Sequence, residues 1–562
     1  MIIDDIISGI PGATLNYRGA ATDPRVRKYI PPVRIVDCSD GELKPVNLKM
    51  LLDTMEIQCY VHYRPQPCVM RPGSFLLLDF GVELNGGIRI VASSQGRVRV
   101  RFGESVSEAM GTPVNDHAMH DTMFDLAPMS HNEIGNTGFR FVRIDVADEL
   151  DHNLELLNIQ AVAIFRDLSY AGSFNSSDER LNRIWKTGAY TVHLNMQDYI
   201  YDGVKRDRLV WMGDMHPEIR IAAAVFDDVD CINSSLDYIR DRTPEHEFMN
   251  GISSYSMWWI ISHYDWYMAR GDFEYLRSQH DRVCSIVKHL GEYIGANGSE
   301  QFDGRRFLDW PSNDNEPVKH AGLHALMIWA FSAAEKICRI LNDETTARLC
   351  AGNAQRMKTY CPDPAQGKQA GALMAISGLC DPVKINRDVL AVNPYSGIST
   401  FYGYYVLQAR ALAGDYAGAL EVIRRYWGGM LDFGATSFWE DFDLDWTRNA
   451  FGIDQLPVPG KKDIHADFGN YCYKSLRHSL CHGWAGGPTA WLSEHLLGIT
   501  PLEPGFKTAM VKPCLAGLDW LNGTMPTPYG VIEVSAKKSS NGSFDIKVNA
   551  PEEVKIVRMT DS

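Results

Sequence analysis

Three carboxylates, three cations and a tryptophan fall within thirteen consecutive residues, Asp202-Gly203-Val204-Lys205-Arg206-Asp207-Arg208-Leu209-Val210-Trp211-Met212-Gly213-Asp214. Such a density of ionisable groups suits acid–base chemistry, where one carboxyl gives up a proton while another takes one. The embedded Leu-Val-Trp-Met run is out of place in a solvated polar loop. A carbohydrate site needs both features, carboxylates for hydroxyls and an aromatic face for the apolar side of a pyranose. Charge clustering alone leaves a salt-bridged connector open on equal terms. A second acid–aromatic stretch, Phe438-Trp439-Glu440-Asp441-Phe442-Asp443-Leu444-Asp445-Trp446, would expose too much aromatic area as a surface helix and reads as a loop folded over a pocket.

Other chemistries find little support. There is no P-loop, dinucleotide fingerprint, G-x-S-x-G or H-E-x-x-H motif, so no cofactor is implied. His117, His120 and Asp121 fall short of a metal-ligand set, and no metal is expected. A net charge of −15 and a pI near 5.6 oppose a phosphate backbone, so nucleic acid is not an expected partner. No apolar run reaches the length of a membrane span, and no membrane partner is expected. Twelve cysteines, from Cys38 to Cys514, form no C-x-x-C pair. Several, such as Cys284 and Cys338, lie in apparent buried helices and read as free core thiols, which favours a reducing compartment. Met1-Ile2-Ile3-Asp4-Asp5 lacks the basic start of a signal peptide. A cytoplasmic location is the expectation, with export after removal of a leader left open. Oligomeric state is not legible.

The elements that must position these residues change along the chain, whose 562 residues suggest roughly three units. From Ser74 to Phe165 the pattern has period two, as in Arg97-Val98-Arg99-Val100-Arg101-Phe102, with Asn85-Gly86-Gly87 as a tight-turn signal between two runs. Residues 1–170 are predicted to form an N-terminal antiparallel β-sandwich with a leading segment. After Asn175-Ser176-Ser177-Asp178-Glu179, a polar helix start, helices dominate over 171–500. Candidates are 178–195, 216–226, 256–270, 273–294, 324–341, 405–413, 416–426 and 487–497. About a dozen helices with almost no strand signal suit a toroid of paired helices. Strands return in a small C-terminal β domain, 501–562, at Gly530–Ala536 and Phe544–Val548.

The 202–214 segment resembles the signature loop of glycoside hydrolase family 78, the bacterial α-L-rhamnosidases. The resemblance continues at Tyr426-Trp427-Gly428-Gly429-Met430-Leu431, Gly434 to Asp441, Ser479-Leu480-Cys481-His482-Gly483-Trp484, and Gly498-Ile499 to Pro504-Gly505. It implies a six-fold (α/α) barrel flanked by β domains, and inverting hydrolysis of terminal α-L-rhamnose from a glycoside, oligosaccharide or polysaccharide.

By position, the resemblance places Asp207 as general acid and Glu440 as general base. Asp202 and Asp214 match acidic positions that bind sugar hydroxyls or adjust the acid. Asp stands at 207 where Glu is commoner, so Asp214 is the reserve acid. Arg206 is expected to bind sugar hydroxyls and Asp202 or Asp214. His482 corresponds to a histidine beside the sugar, with Asp309 and Trp310 as polar handle and stacking face. Trp211, Trp310, Trp439 and Trp484 are expected to wall the C6 methyl. The Tyr255–Trp266 stretch reads as barrel core. Another (α/α)-barrel glycosidase, a glycoside phosphorylase and an inactive rhamnose-binding homologue remain the alternatives.

Overall fold

The computed structural model describes residues 23–52, 66–112, 120–227, 229–539 and 544–558. An eight-stranded antiparallel sheet comes first. Arg25–Ile30, Leu154–Arg166, Phe75–Ala92, Ser130–Val146, Gly96–Gly103 and His120–Leu126 lie side by side in that order. Arg34–Cys38 pairs with Phe75–Ala92, and Cys68–Met70 with Leu154–Arg166. The alternation at 97–102 does what its period implies. Val98, Val100 and Phe102 enter the sheet's apolar core, while Arg99 and Arg101 pair with Asp121 and Asp145.

Asn85-Gly86-Gly87 does not make the expected turn. It lies inside the 18-residue strand Phe75–Ala92, where the register with Ser130–Val146 shifts. Both glycines are there for close approach. A Cβ on Gly86 would come within 1.9 Å of the Val162 carbonyl, and one on Gly87 within 2.3 Å of the Ile134 carbonyl. The glycines therefore mark an irregularity within a long strand.

The helical region opens as its sequence indicates, with the Asp178 side chain accepting the N–H groups of Arg180 and Leu181 to cap Glu179–Asn195. Met212–Val225 packs on Ser253–Arg270, which packs on Glu316–Ile340, then Lys368–Ile376, Gly403–Leu412 and Pro488–Trp491, and the last returns to Met212–Val225. Several boundaries differ from those read by periodicity. The 273–294 segment breaks at Gln279 into Phe273–Ser278 and His280–Glu292. The 416–426 and 487–497 segments pass into π turns at Ile423–Trp427 and Leu492–Leu496. Lys368–Ile376 buries eight of its nine residues and so shows no amphipathic period.

Two further sheets follow. Gly530–Lys538, Phe544–Asn549 and Trp520–Thr527 form a sheet whose fourth strand is Ser173–Ser176, from just before the helices. Ile499–Pro501, Thr508–Val511 and Lys555–Arg558 form the other. One apolar core runs through the helices and these strands, and the N-terminal sheet has its own. Among the described residues no helix is long and apolar enough to cross a membrane.

Candidate active site

The 202–211 loop is closed on itself by Asp202, whose N–H donates to the Leu209 carbonyl and whose Oδ1 accepts the Leu209 N–H at 3.0 Å. At its tip Asp207 and Arg208 both have left-handed backbones, with φ of 57° and 53°. That conformation is uncommon away from glycine and persists only where surroundings hold it. Arg208 does so by donating to the Asn136 carbonyl and side chain in the neighbouring strand. The turn leaves Asp207 partly exposed at the mouth of a pocket of about 200 Å³.

Lys205 anchors the loop from behind. Its ammonium lies 3.1 Å from Glu104 and 3.2 Å from Glu108, and it donates to the carbonyls of Leu476 and His478. Burial works against that charge, but the two carboxylates outweigh it and hold the ammonium above its usual range. The Gly138 N–H donates to the Val204 carbonyl, and His120 approaches the Lys205 carbonyl at 3.2 Å. The N-terminal sheet thus sets the position of the loop.

Arg206 points the other way. It grips both oxygens of Glu440, lies 3.2 Å from Asp207, and donates from Nε to the Arg477 carbonyl. The expected partners Asp202 and Asp214 are not the ones it takes, because the turn at 207 aims the guanidinium across the pocket. Glu440 also accepts the Ser479 N–H. One guanidinium therefore joins two carboxylates that lie 233 residues apart in sequence.

Below this pair sits a second carboxylate group. Asp214, in the first turn of Met212–Val225, is buried and 2.9 Å from His482 Nε2. Burial, and for Asp202 also the neighbouring Asp214, raises the carboxyls of Asp202 and Asp214 well above the usual range. Glu218, one turn on from Asp214, is raised by burial and by the same two aspartates, and neither of its oxygens has a hydrogen-bond partner. Burial lowers His482 to about 4, so its ring is neutral. Its Nδ1 has no hydrogen-bond partner and lies 3.9 Å from Glu440.

Asp202, Arg206, Asp207, Trp211, Asp214, Trp310, Glu440, His482 and Trp484 line this one pocket. Trp484 stacks on Phe401, with ring centres 4.8 Å apart, and its indole N–H donates to the Glu440 carbonyl. Two expected site residues do not line it. Trp439 is buried against Phe442. Asp309 is buried, with Oδ1 accepting from Ser312 and Oδ2 from the Ser399 hydroxyl at 2.9 Å. Its acceptors are engaged inside the protein.

The pocket also contains residues that spacing did not disclose, among them Tyr255, Arg305, Phe307, Cys472, Tyr473 and Arg477. Tyr255 belongs to the aromatic stretch read as core. The tyrosine reaches the pocket, while Trp258 and Trp259 are fully buried. Of the residues weighed as a metal set, His117 lies outside the described residues. His120 is turned to the Lys205 carbonyl and Asp121 is paired with Arg99.

Family models match at two places. Residues 169–362 match the bacterial alpha-L-rhamnosidase 6 hairpin glycosidase domain, and residues 498–558 the bacterial alpha-L-rhamnosidase C-terminal domain. Over these two stretches the chain is similar to the bacterial α-L-rhamnosidases. An α-L-rhamnosidase from Alteromonas sp. (strain LOR) is 23% identical over 533 residues, which cover 85% of this chain and 55% of that protein. The chain therefore spans about half the length of that relative. Among solved structures, the family 78 rhamnosidase of Bacillus sp. GL1 has a TM-score of 0.72 at 19% identity, covering 91% of this chain and 55% of its own. A Klebsiella oxytoca rhamnosidase with rhamnose bound has a TM-score of 0.69 at 20% identity, covering 84% of this chain and 96% of its own. At these identities the likeness is one of fold. The pocket lies where the 202–211 loop meets side chains of the helical region, and the N-terminal sheet holds that loop from behind.

Proposed function

We propose that this chain is an inverting α-L-rhamnosidase, releasing terminal α-L-rhamnose by general acid–base hydrolysis. The observation that carries the proposal is Arg206 bridging Asp207 and Glu440 on the wall of an aromatic-lined pocket. Inversion needs one carboxyl to protonate the leaving oxygen and a second to activate water on the opposite face. Glu440, oriented by Arg206 and the Ser479 N–H, is the base. Asp207, turned into the pocket mouth, is the acid, one bond shorter in reach than a glutamate. Asp214 remains the alternative donor, because burial favours its protonated form. A protonated Asp214 donates to His482 Nε2, which leaves the Nδ1–H free to meet a sugar hydroxyl. The rhamnose-bound Klebsiella relative, matched over nearly all its length, supports the substrate. The ring of contacting helices supports a closed (α/α)6 toroid around the pocket.

The test is a panel of chromogenic glycosides with the product anomer followed by NMR. Turnover of the α-L-rhamnoside with β-L-rhamnose appearing first is the expected result. Activity confined to other glycosides, retention of configuration, or cleavage that requires phosphate would each overturn the reading.

A further inference from the structure

At the far end of the long Glu316–Ile340 helix, four side chains of metal-ligand type meet. His280 and Cys284 sit one turn apart on His280–Glu292, Cys338 lies in the last turn of Glu316–Ile340, and Asp343 caps Glu344–Met357. One donor atom from each lies within 4.8 Å of every other. His280 Nε2 is 3.1 Å from Asp343 Oδ2, Cys284 Sγ is 3.4 Å from that nitrogen and 3.6 Å from that oxygen, and the thiols of Cys284 and Cys338 are in contact.

Those separations have a meaning. Four ligands around a tetrahedral zinc, at Zn–S about 2.3 Å, Zn–N about 2.05 Å and Zn–O about 2.1 Å, stand about 3.4–3.8 Å from one another. We propose that His280, Cys284, Cys338 and Asp343 bind one zinc ion at a closed structural site, distinct from the pocket. The separations among His280, Cys284 and Asp343, 3.1–3.6 Å, are close to the tetrahedron's edges, Cys338 completes the set within 4.8 Å, and the S2NO donor set suits zinc over harder cations. Asp343 has an oxygen to spare, since Oδ1 accepts the Thr346 N–H as the helix cap and Oδ2 faces the cluster. Cys338 is fully buried while His280 and Asp343 are partly exposed, which gives the ion an entry path.

A second cluster, Glu104, Glu108 and His465, shows the contrast. Lys205 is ion-paired to both of its glutamates, whereas no lysine or arginine among the described residues is ion-paired to the first cluster. Sequence spacing placed Cys284 and Cys338 among free core thiols because the four ligands come from three helices. Binding would release two protons, one from each thiol, and leave two thiolates, a carboxylate and a neutral imidazole on the ion. With four protein ligands no position stays open for catalysis. Cys338 lies roughly 30 Å along its helix from the end that leads in from the pocket, so the zinc would tie three helices together without touching the chemistry.

The full-length protein, stripped of metal and kept reduced, is titrated with Co(II) and then with Zn(II). One equivalent of cobalt should produce thiolate-to-metal charge-transfer bands and tetrahedral visible bands, and zinc should displace it. Cys284→Ser should abolish the charge-transfer bands or move them strongly, while Cys361→Ser should leave them. Asp343→Asn keeps the helix cap and should weaken zinc binding at least about tenfold, which separates ligation from folding. Zinc should raise the melting temperature by about 3 °C or more, with kcat/KM for the best glycoside unchanged below melting. Absence of the bands in the wild type, their survival in Cys284→Ser, or a native disulfide between Cys284 and Cys338 would overturn the proposal. Loss of kcat on zinc removal with no change in melting would overturn the structural role.

Discussion

Lys205 and Arg206 are adjacent, both buried and both paired with glutamate, yet they face opposite parts of the molecule. Lys205 turns to the N-terminal region, where Glu104 and Glu108 meet its ammonium, and to the carbonyls of Leu476 and His478. Arg206 turns to the pocket, where its partners Glu440 and Asp207 both line open space. The first charge is consumed entirely by protein and fixes where the loop sits. The second is shared with groups that can also meet a ligand, and fixes how they are presented. A loop that must hold chemistry at its tip is thus made rigid from a separate sheet, outside the helices that carry the rest of the site.

The largest expected effect breaks the sheet side. Lys205→Met leaves two buried carboxylates without their cation, and breaking a buried ion network in this way costs about 3–5 kcal/mol. The midpoint of denaturant unfolding should fall accordingly. Adding Glu104→Gln and Glu108→Gln should restore part of the loss, because the stranded charges leave with them. A Lys205→Met protein that unfolds at the wild-type midpoint would mean the network does not hold the loop.

On the pocket side the effect should appear in rate. Glu440→Gln keeps shape but cannot accept the proton of water, so kcat should fall at least ~100-fold while substrate still binds. Retention of more than about a tenth of wild-type kcat would place the base elsewhere. Asp207→Asn sharpens the same point. A good aryl leaving group needs little protonation and should be spared relative to a sugar leaving group. Equal losses on both would move the acid to Asp214.

Asp214→Asn should act on pH dependence. A carboxyl raised in the folded state stays protonated while its unfolded counterpart ionises above the ordinary value of 3.8. The native state then holds more protons, and stability declines as pH rises from there through the folded-state value, by up to about 1.4 kcal/mol per pH unit for each such group. Asparagine removes that slope, so the variant should be more stable than wild type at neutral pH and nearly equal near pH 3.5. Parallel stability profiles for the two proteins would show that Asp214 is ionised in the folded state.

The sequence carried the strands at 97–102 and the cap at Asp178 in a local period and a short motif, while the joint use of the 202–214 and 438–446 segments was legible only through the family resemblance. It hid what depends on distant partners. Asn85-Gly86-Gly87 has the composition of a turn, but neighbouring strands press on it from both sides, which no local pattern reports. Trp439 beside Glu440 and Trp484 beside His482 both read as site aromatics in the sequence. Only packing sends one behind Phe442 and the other over Phe401. Lys205 was visible as a charge in the loop, but its partners Glu104 and Glu108 lie about a hundred residues upstream, on a strand end and short helix with no motif of their own.

The smallest expected effect concerns Asp309, which resembles a site residue in sequence and is a core acceptor in the structure. Burial raises its carboxyl, and its oxygens accept from Ser312 and Ser399. Asp309→Asn keeps one oxygen for Ser312. It turns the other position into a donor facing a Ser399 hydroxyl that already accepts the Tyr402 N–H at 3.0 Å and has a second lone pair to offer. One hydrogen bond reverses direction and the Ser399 proton must find another acceptor, a cost of about 1 kcal/mol. No pocket atom changes, so kcat and KM for an α-L-rhamnoside should stay within about twofold of wild type, against the ~100-fold loss for Glu440→Gln. A KM raised tenfold with stability intact would instead put Asp309 in contact with the sugar. The boundary of the site would then have to be redrawn beyond Trp310 to include it.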